Sequence, residues 1–196
     1  MHVEYLVSLP DHDWVVAAKH KLIPSVYAVC EVKGDCVSYS GPTLIRIRSG
    51  KHDSSTAETH VQDLDQLFSG DNEEFAQHTH FNGYVKPIVM WTSDGGPDEN
   101  PRYPRTLAAA IRFFKRHNLD ALFIATNAPG LSAFNRVERR MAPLSRALAG
   151  VILPHDHYGS HLDSQGQTTD KDLEKKNFQK AGDCLSEVSM TLINYI

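Results

Sequence analysis

The sequence predicts a mixed α/β fold in which an antiparallel meander feeds a parallel strand–helix–strand half. Three observations carry this. The first half holds β-rich runs broken by Gly and Pro, Ser25–Val32 and Thr43–Arg48 above all. Two short, almost uncharged runs, Ile88–Thr92 and Ala121–Thr126, bracket a helical stretch at Pro104–His117, the pattern of a parallel pair joined by a crossover helix. Polar, capped segments then flank the apolar Val151–Leu153.

Taken in order, Val3–Leu9 alternates weakly and predicts a strand that Pro10-Asp11-His12-Asp13 ends. Ser25–Val32 is a strong β-run, with a turn at Lys33-Gly34-Asp35 and a return strand from Val37 to Tyr39. Thr43–Arg48 alternates apolar and polar, as a half-buried strand does. Ser55 or Thr56 caps a helix through Phe68, with Val61, Leu64 and Leu67 on one face. The acidic, turn-rich stretch from Gly70 to Gly83 reads as a surface loop. In the helix at Pro104–His117, the spacing of Leu107, Ile111 and Phe114 predicts the face that packs on the sheet. Asn135 and Glu138 form a capping box for the next helix, lined by Val137, Met141, Leu144 and Leu148 and kinked at Pro143. Val151–Leu153 is a third short strand, and a last helix covers Asp170–Val188.

The chain has 196 residues and a net charge of −4, enough for one sizeable domain, placed at 1–188 with an unrelated tail at 189–196. No apolar run approaches the roughly 18 residues of a membrane span, and no basic leader precedes a hydrophobic stretch. Three cysteines argue against a disulfide framework and for a reducing compartment. The charge is unevenly spread. Residues 101–150 carry nine Lys and Arg against two acids, a local +7, and the rest of the chain carries −11. A basic segment of this kind attracts polyanions, although solvated helix faces also collect arginines.

Asp94 follows the first parallel strand, and Glu138 opens the helix after the second. Parallel strands open at one edge of the sheet, where α/β folds gather their ligand chemistry. Two carboxylates there can share a divalent cation. Both also have simpler readings. Asp94-Gly95-Gly96-Pro97 is sound turn chemistry, and Glu138 can serve the cap of Asn135 without a metal. The histidines offer a different site. His155, His157 and His161 fall within seven positions, and neutral imidazoles at that density can bind Zn²⁺. No Walker loop, G-x-G-x-x-G or G-x-S-x-G occurs, so nucleotide hydrolysis and serine esterase chemistry have no footing.

The element order is that of ribonuclease-H-like folds. In such folds clustered carboxylates hold two Mg²⁺ ions, one at the attacking and one at the leaving oxygen of a phosphodiester. The segments T-S-D-G-G-P-D-E-N-P-R-Y and A-P-G-L-S-A-F-N-R-V-E-R-R-M-A-P-L-S resemble the second and third acidic motifs of eukaryotic DDE-type, mariner-like transposases. The resemblance is best over residues 25–178. It implies that Asp94 and Glu138 are the second and third metal-binding acids, with Mg²⁺ or Mn²⁺ as cofactor. It also implies DNA as partner, through Arg102, Arg136, Arg139 and Arg140, and a nuclear location. The family's first Asp, on an opening strand, has no counterpart. Glu4, Asp11, Asp13, Glu31 and Asp35 sit at strand ends, loops or turns, and Asp98 would have to fold back from the Gly-Gly-Pro turn. The expectation is therefore a transposase-derived core with its first strand missing, weak metal binding and no strand cleavage.

Overall fold

The computed structural model describes residues 14–17, 20–38, 41–128, 130, 135–138, 141 and 153–193. The chain is a mixed α/β protein. Strands β1 (Trp14–Ala17), β2 (His20–Ala28) and β5 (Thr43–Ser49) form one sheet in the order β1-β2-β5. β1 runs antiparallel to β2, with an irregularity between Val15 and Ala17. Val29 N–H bonds Pro42 O, and Gly50 N–H bonds Lys21 O eight residues away on each strand, so β5 is antiparallel to β2 in one steady register. β2 starts five residues before the expected Ser25 and passes through Pro24. By the alternation of that ladder, the Pro24 nitrogen faces the β1 side, beyond the Trp14–Leu22 pair, where no described strand needs its missing N–H.

A small hairpin, β3 (Val32–Lys33) and β4 (Cys36–Val37), turns at Gly34 as the sequence predicts. The stretch from Gly70 to Gly83 is not a plain loop. It holds helix α2 (Glu73–Thr79), whose first turn is capped by the Asn72 side chain, and the hairpin β6 (His80–Phe81) and β7 (Tyr84–Val85). Asn82 and Gly83 both take positive φ there, 50° and 80°, which is the two-residue turn that matches strand twist.

The residues divide into two compact units. One comprises Val26–Leu44 and Ser55–Pro143. Its sheet is β8 (Ile88–Ser93) paired in parallel with β9 (Ala121–Thr126), joined by α3 (Pro104–Arg116). α1 (Ala57–Leu67) begins at Thr56 in a reciprocal cap with Thr59. Its Ala57 and Val61 pack with Ala109, Phe113 and Leu119, against Val89, Trp91 and Leu122 of the sheet. Phe113 is fully buried, with the rings of Phe68 and Trp91 at 5.2 and 5.6 Å. The face of α3 differs in part from expectation, with Phe114 packed against the core as expected. Thr106, Ala109, Ala110 and Phe113 are buried, while Leu107 and Ile111 remain 48% and 45% exposed. The small side chains of Ala109 and Ala110 suit the contact side, and Arg112 and Arg116 turn to pair with Glu58 and Asp65 of α1. The Arg112–Glu58 pair, about half-exposed on both sides, adds about 0–1 kcal/mol.

The other unit comprises Met1–Ser25, Ile45–Ser54 and Leu144–Ile196. Its long helix α4 (Lys171–Ile193) starts at Asp170, whose side chain accepts from the N–H groups of Asp172 and Leu173. The helix runs five residues past the expected Val188. Phe178, Ala181 and Leu185 are buried on it. The expected strand at Val3–Leu9, the kink at Pro143 and the expected strand at Val151–Leu153, apart from Leu153, lie outside the described residues. No described helix is long and apolar enough to cross a membrane.

Candidate functional site at the carboxyl edge of the parallel strands

Asp94 stands directly after β8, as expected. Its Oδ1 accepts from Asn135 Nδ2 at 2.7 Å. Asn135 Oδ1 in turn accepts from the Val137 N–H, capping the helical turn at 136–138. The two sequence motifs therefore meet at one edge. The contact runs through the asparagine, and Glu138, half-buried, occupies the third position of that turn. The cap bond to Val137 replaces the expected one to the Glu138 N–H.

The loop after Asp94 doubles back sharply. Gly95 takes φ +87°, and a Cβ there would lie 3.2 Å from the Thr126 side chain at the end of β9, so the turn needs glycine on both counts. Glu99 and Asn100 N–H groups bond Gly96 O, and Asn100 Nδ2 bonds Gly95 O. This fold-back brings Glu99 Oε2 within 3.1 Å of the Asp94 N–H and turns Asp98 toward α1. There Ser55 Oγ donates to Asp98 Oδ2 at 2.8 Å, and His60 Nε2 lies 3.2 Å from the same oxygen and 2.9 Å from Ser55 Oγ. His60 Nδ1 lies 2.6 Å from Tyr27 Oη, which donates to Asp63 Oδ2 at 2.8 Å. A chain of polar side chains thus links β2, α1 and the Asp94 loop.

The two neighbouring carboxyls of this loop are driven apart. Asp98 is lowered to about 2, first by its bond with His60, which outweighs the burial that opposes ionisation, with Ser55 and its own backbone adding to the effect. Glu99 is raised, first by burial; the charge of His60 opposes this, and the charges of Asp94 and Asp98 add to it. One carboxyl is therefore held ionised beside one that holds its proton more tightly. Split environments of this sort mark candidate acid–base sites and structural clusters alike.

Among the described residues, no three His, Cys, Asp or Glu side chains gather in a way that could hold a metal ion. Asp94 spends one oxygen on Asn135, and Asp98 is committed to Ser55 and His60. The described donor set does not fit a two-metal centre. The three histidines stand in different surroundings. His161 is 1% exposed, with Nδ1 3.0 Å from Asn177 Nδ2 and Nε2 4.0 Å from Glu174. His157 lies edge-on to Tyr158, and His155 is half-buried. Glu174, also 1% exposed, pairs with Lys51 at 2.6 Å and His52 at 2.9 Å. Burial works to raise its carboxyl, but bonds from Lys51 and Thr168 and the Lys51 and His52 charges prevail and hold it at about 2.

Comparison with protein-family models, curated proteins and solved structures returns no match. The residues alone carry the functional reading.

Of the expected arginines, Arg102 is exposed just after the Asp94 loop, its N–H bonded to Asn100 Oδ1. Arg136, half-buried, follows Asn135 directly. Its charge favours the Cys30 thiolate, although burial prevails and raises that thiol. Arg139 and Arg140 lie outside the described residues. Sequence reasoning missed Ser55, His60, Tyr27 and Glu99, and set Asp98 aside. The Gly-Gly pair was the signal: two glycines after Asp94 permit the tight reversal that returns Asp98 and Glu99 to the edge.

Proposed function

We propose that this chain is a ribonuclease-H-like, transposase-derived core that binds DNA at the carboxyl edge of β8 and β9 and does not cut it. One observation carries the reading, the bond from Asn135 to Asp94. It joins the two motifs, 41 positions apart, that resemble the second and third acidic motifs of mariner-like transposases. The parallel pair with its crossover helix is consistent with the second half of such a fold. Arg102 follows the Asp94 loop, Arg136 follows Asn135, which bonds Asp94, and both would draw phosphates toward this edge.

The non-cleaving reading rests on the donors among the described residues, which do not include Glu4, Asp11 and Asp13. Phosphodiester transfer by two cations needs several anionic ligands within reach of both. Mg²⁺ or Mn²⁺ would meet here one half-used carboxylate on Asp94, a Glu138 that no described contact links to it, and an Asp98 already bound. The test is incubation of supercoiled plasmid with the purified chain and Mn²⁺, with Asp94→Ala as control. Binding without nicking is expected. Mn²⁺-dependent nicking that disappears in Asp94→Ala would overturn the non-cleaving assignment, and lack of any DNA binding at low salt would overturn the DNA assignment.

A further inference from the structure

The polar side chains behind the Asp94 loop play no part in the DNA reading, and their hydrogen bonds fix a definite proton count. Tyr27 Oη lies 2.6 Å from His60 Nδ1 and donates its one proton to Asp63 Oδ2 at 2.8 Å. The first contact therefore needs a proton on Nδ1. Across the ring, Ser55 Oγ lies 2.9 Å from Nε2 and donates its one proton to Asp98 Oδ2 at 2.8 Å. That contact, and the 3.2 Å approach of Nε2 to Asp98 Oδ2, need a proton on Nε2. Only the doubly protonated imidazole satisfies all of them at once.

The groups that face the ring come from three elements. β2 brings Tyr27, and α1 brings Asp63, with Ser55 just before its cap. The Asp94 loop brings Asp98 and Glu99, whose Oε1 lies 3.8 Å from Nε2. The cations that α3 brings to α1, Arg112, Arg116 and His117, pair with Glu58 and Asp65. At about 100° per residue, those two acids fall on the face of α1 opposite His60.

Loss of one ring proton breaks one side of this arrangement. If it leaves Nδ1, Tyr27 turns its own proton to the ring, and Asp63, 8% exposed, gives up that donor. If it leaves Nε2, the Ser55 proton swings to the ring, and Asp98 gives up both Ser55 and the imidazole. Asp98 is 28% exposed, so water replaces what it loses, whereas a buried carboxylate bears a larger penalty for a lost donor. The Tyr27 contact is also the shorter of the two, and the loss falls on the Asp98 side.

We propose that His60 is a proton-operated latch on the Asp94 loop. With both ring nitrogens protonated it fastens Asp98 and Glu99 to α1. On losing the Nε2 proton to solvent it takes the Ser55 hydroxyl proton as a hydrogen bond and lets Asp98 go. Asp94 keeps its bond from Asn135, so the release is confined to residues 95–100. Asp98, held at about 2 chiefly by His60, stays ionised throughout the range of about pH 5 to 8 in which imidazoles change charge.

The test is hydrogen exchange on the full chain, read by mass spectrometry at about pH 5 and about pH 8.5 and corrected for intrinsic rate. The Glu99 and Asn100 amides, both bonded to Gly96 O, should lose protection about tenfold at the higher pH, while β8 and β9 change by less than about twofold. His60→Gln keeps an N–H donor that does not titrate, and Asp98→Ala removes the group that is held. Each should abolish the step, and the second keeps the test sharp should the first fail to fold. Glu99→Gln should retain the step, which separates the latch from titration of Glu99 itself. Nitrogen-15 shifts of the His60 ring above about pH 8 should place its remaining proton on Nδ1. Equal protection at the two pH values, a step that survives in Asp98→Ala or is lost in Glu99→Gln, or a neutral ring protonated on Nε2 would each overturn the proposal.

Discussion

The fold-back of the Asp94 loop depends on Asp98 being ionised, and this can be measured through pH. Asp98 ordinarily titrates near 3.8 and is held at about 2 in the folded chain, chiefly by His60. A carboxyl held down in this way stabilises the fold above its unfolded value, and that stability is lost as pH falls through the folded value. The full shift would correspond to about 2.4 kcal/mol. Both partners are partly open to water, at 28% for Asp98 and 14% for His60, so screening reduces the expected contribution to about 1 kcal/mol. Asp98→Asn keeps the shape and one acceptor and removes the charge. At pH 7 it should lower the melting temperature by about 2–4 °C for a chain of 196 residues. Melting curves by circular dichroism, run for parent and variant from pH 7 to pH 2, should differ above pH 4 and converge toward pH 2. Equal melting at pH 7, or a gap that persists unchanged at pH 2, would show that the His60 bond does not hold the loop.

Glu99→Gln has the opposite sign. Its carboxyl is raised, so ionising it opposes folding, and the amide should stabilise the chain at pH 7, with the gain fading as pH falls and Glu99 protonates; a loss at pH 7 would contradict this. Phe113→Ala removes a fully buried ring and should cost about 3–5 kcal/mol in urea unfolding, and a cost under about 1 kcal/mol would mean that α1 and α3 do not pack on the sheet as described. Glu174→Gln removes the buried anion that Lys51 and His52 face and should cost about 1–2 kcal/mol in urea unfolding, since Lys51 is 41% exposed and can turn to water; an unchanged midpoint would show that the network is not formed.

How much of this was legible in the sequence depends on the range of the interaction involved. β9 was placed to within a residue because an uncharged run between Asp120 and Asn127 leaves little freedom. α1 and α3 were legible from local chemistry, Thr56 as a cap and Pro104 at the first turn. Asn82-Gly83 was equally local and would have revealed the β6–β7 hairpin, but the acidic, turn-rich composition around it masked the signal. The buried face of α3 was not local. Leu107, Ile111 and Phe114 have the right spacing for a core stripe, yet only Phe114 packs on the core, because the choice of Ala109 and Ala110 depends on which residues α1 presents. The candidate site divides in the same way. Asp94 and Asn135 were legible as motif residues, whereas the Ser55–His60–Asp98 contact joins segments about 40 positions apart and rests on the positive φ of Gly95. The histidine run looked like a metal site because nothing local shows His161 turning inward to Asn177.

The central claim is that phosphates are drawn to the Asp94 edge by Arg102 and Arg136, and the salt dependence of DNA binding tests it most directly. Affinity for a short duplex should be measured by anisotropy from about 50 to 200 mM salt, for the parent and for the Arg102→Ala, Arg136→Ala double variant. Each phosphate contact contributes about −0.9 to the slope of log affinity against log salt, so the double variant should be shallower by about 2. Identical slopes, or no salt-dependent binding by the parent, would contradict the account.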